Sequence, residues 1–297
     1  MITEIETYLT TLKSGGLSEH TIRAYRKDLQ KFSDHFKISK ISEIEELSLE
    51  QFYSFYNSLP LKASSKNGLI RNLSAFFNWA VPKIIKTSAF FDVTFGGQKH
   101  YVKEIIEKKM ILTQEETEAL IKAGATIQER FMLALMSFTA IRRGEVVKIK
   151  LSDIQGCKVI IHGKGDKIRS VFLDEVLCTM LNIVMANRET DSQYLFYGER
   201  GETTADGAMS TQTVYNRVKS AGERAGIVSE KLEKLSPHRL RGTAITRLII
   251  LFGLDVAQRV AGHTNNIITK RYDESGDALV EAALMGQRQA MEDRLNK

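Results

Sequence analysis

The chain has 297 residues, 43% hydrophobic and 26% charged, a globular composition that excludes disorder as the default and supports a core in each of about two domains. A net charge of +6 and an isoelectric point near 9.1 suit a polyanionic partner, although many chains of this balance bind none. Cys157 and Cys178 lie outside any CxxC or Cys/His cluster, which speaks against a disulfide framework and a zinc site. The acidic start and the absence of an apolar run near ~18 residues speak against a secretory signal and a membrane span, so a soluble cytoplasmic protein is expected.

From the amino terminus, apolar residues recur at helical spacing over 2–13 (Ile5, Leu9, Leu12) and 18–36 (Ile22, Tyr25, Leu29, Phe32, Phe36). The Gly15-Gly16 pair breaks the pattern, and Ser18 is placed to cap the second helix. Residues 49–59 and 64–79 carry the same period, with Pro82 marking the end, so the first ~90 residues read as all-helical. A Gly-Gly pair and a basic run without an amphipathic face then mark a linker near 92–112. We expect a helical domain over 1–95, a linker over 96–111 and a second domain over 112–297. In that second domain helices are expected at 113–123 and 128–139, after which the pattern alternates. KVIIH and IRSVF form a β-hairpin candidate turning through Gly163, Lys164, Gly165 and Asp166. Helical patterns return at 174–187, 211–225, 239–252, 255–261 and 278–292. The expected fold is mainly α: an all-helical amino-terminal domain, then an α-rich domain with a small antiparallel sheet.

Five segments of the second half stand out: TAIRRGE (139–145), HGKGDKIR (162–169), SPHRLRG (236–242), VAGH (260–263) and ITKRY (268–272). Singly each is ordinary, since Arg142 and Glu145 form a common i,i+3 pair and Gly-Lys-Gly is a common turn. In this order and spacing they resemble the tyrosine recombinase (phage integrase) family, of the two-domain Xer-like type. The resemblance implies that Arg142, Lys164, His238, Arg241 and His263 hold a scissile phosphate and that Tyr272 is the nucleophile, with Glu145 a buried partner of Arg142. It extends into the amino-terminal half, where LSEHTIRAYRKDLQKF and SSKNGLIRNLSAFFNWA are similar to the family's core-binding domain. It therefore implies DNA contacts from the helices at 18–36 and 64–79, and we expect phosphate contacts from Arg23, Lys66 and Arg71.

The residue types suit the chemistry. Guanidinium groups donate pairs of hydrogen bonds to phosphate and keep their charge, which fits Arg142 and Arg241. A hairpin lysine can protonate the leaving 5′-oxygen, histidines can donate to phosphate or relay the phenolic proton, and cations favour the phenolate of Tyr272 as it attacks. No metal and no cofactor is expected. Two departures from the family pattern occur: Gly242 stands where many members have His, and Ala140 stands where Gly is usual, a residue expected to be tolerated within a helix better than Gly.

The resemblance implies a site-specific recombinase acting through a 3′-phosphotyrosyl link on double-stranded DNA core sites, in integration and excision or in dimer or cointegrate resolution. A type IB topoisomerase-like relaxing enzyme and an architectural DNA-binding protein with an idle site are the alternatives; the full set of six catalytic positions argues against idleness. No arm-site domain is expected before Ile2, and simple core-site recombination is the expected mode. The expected carboxyl-terminal helix has a small-residue face (Leu279, Ala282, Ala283, Ala290) suited to a neighbouring subunit, so a tetramer on two DNA sites is expected, with packing on its own domain as the alternative. Cytoplasmic action at the nucleoid is implied, with accessory directionality or architectural proteins as further candidate partners.

Overall fold

The structure, a computed structural model, describes residues 2–81, 84, 110–163, 167–198, 202–204, 207–262, 269 and 272. The expected linker up to residue 109, the hairpin tip with Lys164, His263 and the expected helix at 278–292 lie outside the described residues. The chain divides into two compact units, Met1–Glu107 and Lys108–Lys297.

In the first unit α1 (Thr3–Ser14), α2 (Glu19–His35), α3 (Leu49–Ser58) and α4 (Ala63–Ala80) surround an aromatic core. Ser18 caps α2 by accepting a hydrogen bond from Thr21 N, and Ser48 and Gln51 form a reciprocal capping box at α3. The helical period places Phe32, Phe52, Phe55, Phe76 and Phe77 inward, each at most 1% exposed. The Phe32 ring meets Phe55 and Phe77 nearly edge-on at 5.9 and 5.7 Å. Each such ring contributes about 1.5–3 kcal/mol by burial. Asn72 of α4 donates to Asp28 of α2 at 2.7 Å, a polar tie between the two helices.

The second unit is built around α6 (Ile127–Thr139), whose Phe131 to Met136 are buried on every side. It is flanked by α5 (Gln114–Lys122), α8 (Glu175–Ala186) and α11 (Pro237–Ala261). Short α7 (Arg143–Val146) follows α6, and α9 (Thr211–Arg224) and α10 (Ser229–Lys234) precede α11. The expected hairpin is present as β2 (Lys158–His162) and β3 (Ile168–Phe172), in register through Val159↔Val171 and Ile161↔Arg169. A two-residue β1 (Ile154–Gln155) makes the sheet three-stranded and antiparallel in the order β1-β2-β3. The two helices expected at 239–252 and 255–261 are one element, kinked at Gly253.

One expectation is corrected. Cys157 and Cys178 form a disulfide, with Cα atoms 5.2 Å apart. Their separation of 21 residues resembles no motif, but the β1–β2 turn carries Cys157 onto α8 and so onto Cys178.

Candidate active site

The site begins where α6 ends. Ala140 is the carboxyl-terminal cap of that helix, in the left-handed region at φ 53°, and it is fully buried. The expectation that alanine is accommodated inside a helix is therefore corrected: this is a position where glycine is the unstrained residue, and alanine costs roughly 1 kcal/mol. The turn delivers Arg142, in extended conformation, as the amino-terminal cap of α7.

Three residues on, Glu145 is buried and charged. Its carboxylate accepts from Arg142 N at 2.9 Å, Arg142 Nη1 at 2.8 Å, and Arg169 Nη1 and Nη2 at 3.1 and 2.8 Å. Burial alone raises a carboxyl pKa. Here the two arginines outweigh it and hold Glu145 at about 2, so the group is ionised at any physiological pH. The Arg142 side chain stays 41% exposed while Glu145 is 6% exposed, so the carboxylate aims the guanidinium from beneath.

Ser236 caps α11 by accepting from Arg239 N, with Pro237 in the first turn, and this start presents His238 and Arg241 three residues apart. Arg241 is 3% exposed. Its Nη2 donates to Ala261 O at 2.8 Å and its Nη1 to Ala140 O, filling orphan carbonyls at the ends of α11 and α6. Burial, then the nearby Arg142, pull its pKa down to about 10, which leaves it cationic at neutral pH.

Tyr272 is 6% exposed and packs with Ala140, Ala244, Ile245 and Ile249. Its hydroxyl lies 3.4 Å from His238 Nε2, and Thr246 Oγ1 donates to its carbonyl at 3.2 Å. A Cβ added at Gly242 would stand 3.2 Å from Tyr272 Cε1, so the missing side chain makes room for the tyrosine ring. A cavity of about 420 Å³ opens beside this group, lined by Arg142, Arg143, Tyr215, Ser236, Pro237, His238 and Arg241. It combines three guanidinium groups with the amino terminus of a long helix, an arrangement suited to an anion of phosphate size. Among the described residues no cluster of His, Cys, Asp or Glu is placed to hold a metal ion.

The structure thus brings together Arg142, His238, Arg241 and Tyr272; Lys164 and His263 fall outside the described residues. Sequence reasoning missed Arg169, Arg143 and Tyr215. Arg143 could have been suspected from the paired arginines of TAIRRGE, whereas Arg169 closes the HGKGDKIR segment with no local sign of its partner Glu145. In the first unit Arg23 and Arg71 are exposed, while Lys66 is half-buried with Nζ 4.9 Å from the Tyr56 ring centroid. Arg26, by contrast, is paired with Glu6 of α1.

Residues 110–278 match the phage integrase family and residues 5–83 its N-terminal SAM-like domain. The chain belongs to the phage integrase family. It is an enzyme of the tyrosine recombinase class. Among its relatives, tyrosine recombinase XerD of Staphylococcus saprophyticus is 26% identical over 294 residues, covering 92% of this chain and 94% of the relative. The XerH site-specific recombinase, in a post-cleavage complex with palindromic difH substrate, has a TM-score of 0.73 at 19% identity, covering 94% of this chain and 83% of that one. A lambda integrase tetramer bound to a Holliday junction has a TM-score of 0.70 at 17% identity, covering 89% of this chain and 77% of that one.

Proposed function

We propose that this chain recombines double-stranded DNA at core sites by cutting and rejoining strands through a 3′-phosphotyrosyl link to Tyr272. The observation that carries this reading is the placement of the Tyr272 hydroxyl 3.4 Å from His238 Nε2, beside a cavity lined by Arg142 and Arg241. In an unliganded site such a contact is often long and tightens with substrate bound. The phenolic oxygen attacks phosphorus and gives up its proton to the histidines, His238 with His263. Arg142 and Arg241 take the non-bridging oxygens, and the bond to the 5′-oxygen breaks as Lys164 supplies that oxygen with a proton. The guanidinium and ammonium groups supply the positive charge, so the reaction needs neither a metal nor a cofactor.

The remaining assignments follow. Residues 1–95 form the domain that grips the core site, with Arg23, Lys66 and Arg71 on phosphates; 96–111 form the linker; and 112–297 carry the chemistry. Arg23 and Arg71 are exposed and thus available to a duplex. Four copies assemble on two DNA sites, in the cytoplasm at the nucleoid; the lambda integrase tetramer bound to a Holliday junction supports the tetrameric reading.

The test is Tyr272→Phe assayed in excess EDTA on a nicked core-site substrate. The wild type should form covalent protein–DNA adduct with the chelator present, and the variant should form none while binding the same DNA. Adduct from the variant removes Tyr272 from the nucleophile's role, and loss of wild-type cleavage that Mg²⁺ restores sinks the metal-free mechanism.

A further inference from the structure

Arg169 is the second residue of β3 and its side chain is 16% exposed, yet it is more than a strand residue. Both its terminal nitrogens are bonded to the Glu145 carboxylate, side by side, at 3.1 and 2.8 Å. The same carboxylate holds Arg142, by its main-chain nitrogen and by Nη1. On its other side the arginine stem rests on the turn after α11: a Cβ at Gly262, which has φ 63°, would meet Arg169 Cδ at 3.1 Å. Arg169 Nε is buried and has no hydrogen-bond partner among the described residues, so the side chain is held by its two terminal nitrogens. One guanidinium therefore meets the hairpin that carries Lys164, the cap that presents Arg142, and the turn that precedes His263.

We infer that Arg169 is a positioning residue for strand cleavage: acting through Glu145, it aims Arg142 at the scissile phosphate and keys the β2–β3 hairpin to the turn at Gly262. The inference rests on the recombinase reading above. A planar fork on a carboxylate fixes both distance and rotation, which a single ammonium contact does not. Without Arg169 the carboxylate keeps only Arg142 as partner, so that pair can swing as a unit, and small displacements of a reacting or clamping group are expensive in rate.

The experiment compares wild type, Arg169→Gln, Arg169→Lys, Glu145→Gln and the Arg169→Gln/Glu145→Gln pair in single-turnover adduct formation on a nicked core site, with DNA affinity measured alongside. Arg169→Gln should bind DNA within about twofold of wild type and cleave roughly 10- to 100-fold more slowly, with Arg169→Lys between the two. At a temperature where all variants are folded, the loss should persist in the cleavage step with DNA affinity kept, a split that loss of folded protein alone would not produce. The losses in the double variant should be far from multiplicative, since both changes break one clamp. Arg169→Gln cleaving at the wild-type rate, or losses that simply multiply, overturns the inference alone; no adduct from the wild type overturns the recombinase reading and this inference with it. Should Arg169→Gln fail to fold, Arg169→Lys is judged by the same rate and affinity criteria.

Discussion

Glu145→Gln keeps the shape of the side chain and removes its charge, and the structure sets the size of the effect. The carboxylate accepts four hydrogen bonds from two arginines, and an amide offers one oxygen and turns two N–H groups toward guanidinium donors. The side chain is 6% exposed, so water does little to screen the loss. Holding the carboxyl at about 2 rather than the ordinary 4.5 corresponds to on the order of 3 kcal/mol, at about 1.4 kcal/mol per tenfold. Breaking a buried ion pair from one side typically costs about 3–5 kcal/mol, in agreement. In a domain of 150–250 residues this lowers Tm by roughly 6–12 °C. The pH dependence follows from the sign: a depressed carboxyl contributes its full stability above its ordinary value and loses it as pH falls toward the folded-state value. The gap between wild type and Glu145→Gln should therefore be widest near neutrality and close between about pH 4.5 and pH 2. Urea unfolding across that range measures it. A gap under about 1 kcal/mol at pH 7, or one that stays constant on acidification, refutes the reasoning.

Three further outcomes are expected. Lys164→Ala should slow cleavage strongly, and a substrate with sulfur at the 5′-bridging position should restore it, because a thiolate leaves without a proton; an unrescued variant takes Lys164 out of the acid role. Gly242→Ala should raise helix stability by up to about 1 kcal/mol while slowing adduct formation about tenfold, since the new Cβ would press on the Tyr272 ring from 3.2 Å; an unchanged rate contradicts this. Deleting 277–297 should spare binding to a single site and abolish pairing of two sites in a gel-shift assay, whereas a truncated protein that melts early would show that the segment packs on its own domain.

Local signals carried much of this architecture. The helical periods that place Leu29 and Phe32 or Phe76 and Phe77 inward, the Ser18 cap and the alternating KVIIH and IRSVF are properties of short windows, and each element appears where its pattern lies. The segments holding Arg142, His238, Arg241 and Tyr272 were legible through their order, and the fold gathers them. What escaped depends on partners far along the chain. Arg169 is defined by Glu145, 24 residues away; Arg241 by Ala140, 101 residues away; the disulfide by a turn meeting a helix. Ala140 misled because helix propensity describes residues inside a helix, and this one sits a step beyond the end, where the sign of φ decides.

The way Arg241 is held has a consequence for how such a site can change. Its two nitrogens close the ends of α6 and α11 while it also lines the cavity, so one side chain is a rivet and, on the proposed reading, a clamp on phosphate as well. Lysine carries its donors on one nitrogen and lacks the two-nitrogen fork that reaches Ala140 O and Ala261 O, and a neutral residue would leave two helix ends open as well as one charge missing. Position 241 therefore has almost no neutral neighbours in sequence space. Room to adjust the reactivity of the site lies instead with groups that have fewer duties at the cavity wall, such as the exposed Arg143 and the half-buried Tyr215.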